Sequence, residues 1–108
     1  MSWDVWLVTK LDDHEIVVWD GPNYTHKTNG MIREAGLVEW PYEVSDWPAA
    51  KLADQLDFAL LNLERDPGKY RAMNPSNGWG NYDTLLPVLR EVRDQCLKYP
   101  SARVRMSA

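Results

Sequence analysis

A run of polar side chains at residues 21–29 has the composition of a ligand-binding segment. It reads Gly-Pro-Asn-Tyr-Thr-His-Lys-Thr-Asn and contains Asn23, Tyr24 and Thr25. Amide and hydroxyl groups bind polar ligands, and a helix that begins inside the run would add free backbone N–H groups that favour an anion. The same side chains can instead cap that helix and satisfy its backbone. Both interpretations are open at this point.

A second candidate segment, residues 74–80, places a tryptophan between two glycines. It reads Asn-Pro-Ser-Asn-Gly-Trp-Gly, with Asn74, Asn77 and Trp79, and Tyr82 follows it closely. Glycine permits unusual backbone angles and close approach. An indole held in such a loop can stack on a base or fill a pocket of a partner protein. The alternative is that Trp79 folds back onto the core.

If the two segments meet, a pocket forms between residues 21–29 and 74–82. Arg33 is the cation expected beside it, because a guanidinium group pairs with a phosphate through parallel hydrogen bonds. The pocket would suit a nucleotide-like small molecule, and the same surface would suit a partner protein. The candidate binding residues are Asn23, Tyr24, Thr25, Arg33, Asn74, Asn77, Trp79 and Tyr82.

Signals for catalysis and for cofactors are weak. Residues 12–15 (Asp-Asp-His-Glu) have the types that bind metals, but in a tight turn these side chains diverge. Cys96 lies on an apolar stripe and is expected to be a small buried hydrophobic residue. We find no nucleophile elbow and no phosphate-binding loop motif. The sequence assigns no catalytic residue, metal or cofactor, and it favours a non-enzymatic function.

Length and composition indicate one domain spanning residues 1–108. The chain is 44% hydrophobic and 26% charged, which is typical of a folded domain. Six tryptophans and five tyrosines are many for this length. Aromatic residues at this density either enlarge the core or mark a contact surface.

The charge distribution excludes some classes of partner. The net charge is −4; residues 1–54 have four Lys/Arg and ten Asp/Glu (−6), and residues 55–108 have eight and six (+2). An acidic chain without a basic run binds nucleic acid poorly. The sequence shows no signal peptide and no apolar stretch long enough to cross a membrane. We therefore expect a cytosolic protein with neither nucleic acid nor membrane as a partner, while the acidic half suits a protein contact or is simply solvated.

The candidate segments lie between elements with the order β-β-α-α-β. Residues 3–9 and 15–20 are β-branched and aromatic, and they predict an antiparallel hairpin. Residues 21–23 (Gly-Pro-Asn) are expected to end its second strand. A short helix capped by Thr25 or Thr28 should follow.

Two long helices and a last strand complete the prediction. The first helix should be capped by Ser45 or Asp46 and end at residues 66–68, and the second should run from residue 82 or 83 to 98. Residues 102–106 alternate strictly, as in a half-buried strand. These elements predict an α+β fold in which a small antiparallel sheet carries the two main helices on one face.

The first strand has apolar residues on both faces. Trp3, Val5 and Leu7 would share one face, and Trp6 and Val8 the other. A two-faced apolar strand in a small sheet needs cover on both sides, so the sequence leaves a homodimer open.

Scattered blocks along the chain resemble a family of small phage-encoded accessory proteins, including those of phages that infect actinobacteria. The blocks are N-Y-T at 23–25, Met31, N-P-x-N-G-W-G-x-Y at 74–82, and C-x-x-Y-P-x-A-x-V at 96–104. The family pattern commonly has an asparagine after N-Y-T-x, where this chain has Lys27. The resemblance implies a protein that acts in the host cytoplasm and is dispensable for virion structure.

The resemblance implies no particular reaction. Such proteins bind a host protein or a signalling molecule and alter growth or defence. We therefore expect a non-catalytic accessory protein that binds a host cytosolic protein, with binding or sequestration of a nucleotide-like small molecule as the alternative.

Overall fold

Alternation of side chains along the first strand sets the inner face of the sheet. In the computed structural model, which describes residues 1–107, β1 (Ser2–Leu11) and β2 (His14–Thr25) form the predicted antiparallel hairpin. Trp3, Val5 and Leu7 of β1 are fully buried in the core. Trp6 alternates onto the outer face, opposite Asp20.

Strand β2 continues past the point where the sequence predicted its end. Between the pairs Asp4–Asn23 and Trp6–Asp20, β2 has one residue more than β1, so a bulge accommodates Gly21 and Pro22. A Cβ atom on Gly21 would lie 2.5 Å from the carbonyl oxygen of Val5, which explains the glycine. The prediction that residues 21–23 end the strand is wrong, because the bulge takes up Gly21 and Pro22 and pairing resumes at Asn23.

The sheet has three antiparallel strands in the order β2-β1-β3, with β3 at Arg103–Ser107. Residues 45–48 cover the outer edge of β3: Asp46 N donates to Val104 O at 2.7 Å, and Val104 N donates to Trp47 O at 2.9 Å. Because this edge is already hydrogen-bonded, a strand of another chain cannot pair with it.

The helices fill the inner face of the sheet, as predicted for an α+β fold. After a 3-10 turn (His26–Thr28) come α1 (Asn29–Glu34) and a second 3-10 turn (Tyr42–Val44). Two long helices then pack in the core, with a short one between them: α2 (Ala49–Arg65), α3 (Pro67–Arg71) and α4 (Tyr82–Lys98). None of the helices within residues 1–107 is both long and apolar enough to cross a bilayer.

Helix α2 begins without the side-chain cap that the sequence predicted. Ser45 Oγ instead accepts a hydrogen bond from Met106 N, and Asp46 forms an ion pair with Arg105. The first N–H groups of α2 donate to backbone carbonyls near β3, Ala49 N to Ala102 O at 2.8 Å and Ala50 N to Pro100 O at 3.1 Å. Tertiary contacts therefore replace the local cap.

Candidate functional site

An open cavity of about 420 Å³ lies at the end of the hairpin farthest from its turn. The end of β2, the start of β1 and the loop before α4 form its wall. The residues that line it are Met1, Ser2, Asn23, Tyr24, Thr25, Trp79 and Gly80. Of the eight predicted binding residues, the structure thus brings Asn23, Tyr24, Thr25 and Trp79 to one cavity.

The two candidate segments meet because Gly80 packs directly against β2. Gly80 has φ +79°, and a Cβ atom there would lie 2.5 Å from Thr25 Cγ2 and 3.0 Å from Tyr24 Oη. Only glycine combines this backbone angle with such a close approach. The contact places the Trp79 loop against residues 24 and 25.

Tyr24 links the cavity to the start of α4. Its hydroxyl lies 2.6 Å from Thr84 Oγ1, and Asn81 N donates to it at 3.3 Å. Asn81 and Thr84 also form a capping box, since the Asn81 side chain accepts from Thr84 N and Asn81 N donates to Thr84 Oγ1. The tyrosine hydroxyl is therefore occupied by protein partners and shapes the cavity instead of facing a ligand.

Trp79 is displayed at the rim of the cavity. Its side chain is among the most exposed apolar groups of the protein, at 68%. Asn77 Oδ1 accepts a hydrogen bond from Trp79 N at 3.0 Å, which closes a local turn. The indole Nε1 makes no hydrogen bond within residues 1–107, so it is free to donate to a bound molecule.

Asn23 lies on the opposite side of the cavity, at the start of the sheet. Its Nδ2 donates to Ser2 Oγ at 2.9 Å, to Asp4 Oδ1 at 3.1 Å and to Trp3 O at 3.4 Å. Its Oδ1 accepts no hydrogen bond from the described residues. The amide therefore holds the β1–β2 pairing and leaves one acceptor at the surface.

Asn74 and Tyr82 hold the two ends of the loop together and do not line the cavity. Asn74 Oδ1 accepts from Tyr82 N at 2.8 Å, and the buried Tyr82 hydroxyl donates to Leu63 O at 2.7 Å. Burial raises the pKa of Tyr82 above its ordinary value. These residues, like Asn77, bond the segment to itself and to α2, and none of them is in the lining of the cavity.

Arg33 lies in a different place from the one the sequence suggested. It belongs to α1 and donates from Nη1 to Trp40 O at 3.1 Å. It lines a separate cavity of about 440 Å³, together with residues of the loop after α1. Arg33 does not line the first cavity, so this cavity lacks the phosphate partner that the sequence predicted.

A third cavity, of about 550 Å³, lies on the outer face of the sheet near the hairpin turn. One of its two arginines is neutralised by acidic side chains, and the other contacts a backbone carbonyl. Arg105 forms ion pairs with Glu15 and with Asp46, and Arg103 donates to Asp46 O at 3.0 Å. This network ties both edges of the sheet together.

The acidic turn at residues 12–15 is exposed, whereas Cys96 is buried. Within residues 1–107 no three His, Cys, Asp or Glu side chains are placed to hold a metal ion. Cys96 is fully buried in the core, and burial raises the pKa of its thiol to about 12. A thiol with this pKa carries almost no thiolate at neutral pH.

Three residues that line the cavity, Met1, Ser2 and Gly80, are not among the predicted binding residues. Ser2 pairs with Thr25 across the hairpin, and this pairing follows only if β2 extends through the bulge at Gly21. The sequence does not predict this extension, because Gly-Pro-Asn usually ends a strand.

Comparison with known proteins places the chain in no family. No family model and no solved structure matches it. Part of it is similar to the DNA-directed RNA polymerase subunit beta of Oenococcus oeni, with 31% identity over 67 residues. That match covers 58% of this chain and 6% of the polymerase subunit, so the chain spans a small fraction of the curated relative it matches.

Proposed function

We propose that this protein is a non-catalytic phage accessory protein that binds a host cytosolic protein and thereby modulates host growth or defence. The observation that carries the proposal is the 68% exposed indole of Trp79, held by a structured loop at the rim of a cavity. The resemblance of the sequence blocks to phage accessory proteins supplies the biological setting. The proposed location is the host cytoplasm.

An exposed tryptophan on a rigid support is the typical anchor of a protein interface. A few aromatic residues carry most of the affinity in such interfaces, and tryptophan is enriched among them. The Asn77 turn and the packing of Gly80 fix the loop before binding, which lowers the entropy lost on association. Met1 is also largely exposed beside the indole and adds apolar contact area.

Affinity capture from host lysate tests this proposal with Trp79→Ala. We expect wild type to recover one dominant host protein and the variant to bind it at least about 30-fold more weakly, because truncation of an anchoring tryptophan costs about 2 kcal/mol or more. The matched control is Phe58→Ala, which removes a 55% exposed aromatic ring on α2. Retention of the partner by Trp79→Ala, or equal loss with both variants, would contradict the proposal.

The second candidate function is binding of a nucleotide-like small molecule in the same cavity. Its volume of about 420 Å³ favours this function, since ligand pockets commonly measure about 300–1,000 Å³. A ligand selective for the folded protein raises the melting temperature. Thermal shift against nucleotides and cyclic dinucleotides tests this function: an increase that is lost in Trp79→Ala supports it, and a flat response across the panel counts against it.

A further inference from the structure

The cavity of about 440 Å³ that contains Arg33 is lined by α1 and by the loop that follows α1. From α1 come Asn29 and Arg33, which are four residues apart and therefore lie side by side on one face of the helix. Asn29 is only 6% exposed, whereas the side chain of Arg33 reaches solvent. One wall of this cavity thus places a nearly buried amide next to an exposed guanidinium group.

The core residue Trp40 holds both of these side chains in place. Trp40 Nε1 donates to Asn29 Oδ1 at 3.1 Å, and Arg33 Nη1 donates to Trp40 O at 3.1 Å. Within residues 1–107, no group accepts a hydrogen bond from Asn29 Nδ2, or from Nε and Nη2 of Arg33, and Asn29 Nδ2 keeps access to solvent. These N–H groups are therefore preorganised donors for an occupant of the cavity.

A carboxylate is a group that these donors fit. A guanidinium group offers N–H groups in a planar fork that bonds both oxygens of a carboxylate, and the Asn29 amide adds a further donor. Arg33 forms no ion pair with any residue in the range 1–107, so a bound carboxylate would supply the charge that it lacks.

Two glutamates in the same lining oppose a simple anion. Glu39 and Glu43 line the cavity, and neither forms an ion pair with a described residue. Met1 adds its α-ammonium to the lining, while His26, neutral at pH 7, places Nδ1 2.6 Å from Met1 O. The lining therefore carries charges of both signs, and a ligand of one sign would be repelled by part of it.

We propose that this cavity binds a small zwitterion in which a carboxylate and a cationic group are joined by an aliphatic stem. The carboxylate pairs with Arg33 and Asn29, and the cation pairs with the two glutamates. A basic amino acid has this chemistry, and so does the basic residue at the C-terminus of a peptide. The site is independent of Trp79 and goes beyond the proposed function.

The rest of the lining suits the stem of such a ligand. Val38 and Tyr42 line the cavity and are 66% and 48% exposed. The methylene groups of an arginine or lysine side chain pack on apolar surface of this kind while the charged end stays in water. The Tyr42 ring also offers a face on which a guanidinium group can stack.

NMR titration of the ¹⁵N-labelled protein with L-arginine, at neutral pH and constant ionic strength, tests the proposal. We expect saturable shifts of the Trp40 indole N–H and of the Asn29 side-chain NH₂, with a Kd in the millimolar range or tighter. Argininamide lacks the carboxylate and should bind at least about ten-fold more weakly, because the charge-assisted hydrogen bonds are lost. Citrulline lacks the side-chain cation and should bind about two- to five-fold more weakly, as expected for exposed ion pairs.

N-acetyl-L-arginine distinguishes the two sources of this chemistry. It lacks the α-ammonium of the free amino acid and so represents the C-terminal residue of a peptide. Tighter binding of N-acetyl-L-arginine than of L-arginine assigns the site to a peptide terminus, and the reverse order assigns it to a free amino acid.

Variants of the protein test the assigned residues. Arg33→Gln, which retains a donor for Trp40 O, should bind L-arginine at least about ten-fold more weakly. The matched control is Arg65→Gln, which changes an exposed arginine on α2 that forms no ion pair within residues 1–107 and should leave binding unchanged. The double variant Glu39→Gln and Glu43→Gln should lose the preference for L-arginine over citrulline.

Four results would overturn the proposal. These are absence of saturable shifts with L-arginine and N-acetyl-L-arginine, equal binding of argininamide, unchanged affinity in Arg33→Gln, and tighter binding of inorganic phosphate than of L-arginine. The ligand comparisons use the wild-type protein, so they decide the matter even if a variant fails to fold. Trp79→Ala should bind L-arginine like wild type, so loss of the captured host protein and loss of this site are separate outcomes.

Discussion

At the scale of single residues, Tyr24 joins the candidate site to the core. Its ring centroid lies 5.9 Å from that of the buried Trp3, and its hydroxyl bonds at the start of α4. The same side chain therefore stabilises the fold and positions Gly80 and Trp79.

The Tyr24→Phe variant should lower the free energy of unfolding by about 1 kcal/mol, because it removes the partner of Asn81 N and Thr84 Oγ1 and keeps the ring. Urea denaturation measures the change. Tyr42→Phe is the control, since the Tyr42 hydroxyl bonds to none of the described residues and its side chain is half-exposed. Equal stability of the Tyr24 variant and wild type would show that the hydroxyl contributes nothing.

Gly80 is the second residue on which the site depends. The Gly80→Ala variant should lose about 1–3 kcal/mol of stability, because φ is +79° and a Cβ atom would meet Thr25. The comparison variant, Gly30→Ala in α1, has open space at its Cβ and should gain about 0.5–1 kcal/mol. Thermal or urea unfolding of the two variants measures both changes. An unchanged free energy of unfolding in Gly80→Ala would disprove the close packing.

At the scale of elements, the sequence predicts the regular helices and strands, but it does not predict the bulge in β2 or the way α2 begins. Apolar spacing fixed the type and approximate extent of both long helices, and the N-terminus of α4 was predicted within one residue. The bulge in β2 and the uncapped start of α2 escaped prediction. Both depend on partners distant in the chain, Val5 for Gly21 and Ala102 for Ala49.

The candidate site shows the same division. Residues 23–25 and Trp79 were predicted as binding residues from their types, and the structure places them at one cavity. Arg33 was grouped with these residues only because a guanidinium group can pair with a phosphate. In the structure it lies on α1, bonds to Trp40 O and lines a different cavity. Asn74 and Asn77 were predicted as ligand contacts, although asparagine in such loops often bonds the nearby backbone, as both do here.

The capping box of α4 yields a prediction at this scale. Asn81→Ala removes the acceptor of Thr84 N, so we expect a loss of about 1 kcal/mol in unfolding free energy. Ser76→Ala, an exposed position in the preceding loop, should change stability little. Chemical denaturation distinguishes the two, and an unaffected Asn81 variant would mean that the helix start is held by Tyr24 alone.

At the scale of the whole molecule, the sheet has one covered edge and one open edge. Residues 45–48 pair with β3, while β2 has a strand partner on one side only within the described chain. Ile16 and Val17 of β2 are 40% and 54% exposed. The open edge is the part of the molecule best suited to association.

We propose that two copies associate through this edge. Sedimentation equilibrium at micromolar concentration should give a dimer for wild type and a monomer for Val17→Lys, because a lysine on an edge strand opposes strand addition. Thr9→Lys, an exposed change on the neighbouring strand β1, serves as the comparison and should remain dimeric. A wild-type protein that stays monomeric would remove the proposal.

The central position of β1 has a consequence for synthesis on the ribosome. Its first neighbour, β2, is translated immediately after it, but its second neighbour is at residues 103–107. A nascent chain that has not yet exposed those residues carries a hairpin with one bare edge beside the apolar side chains of Trp3, Val5 and Leu7. Completion of the sheet therefore waits for late translation, and until then the emerging hairpin is a natural substrate for chaperones.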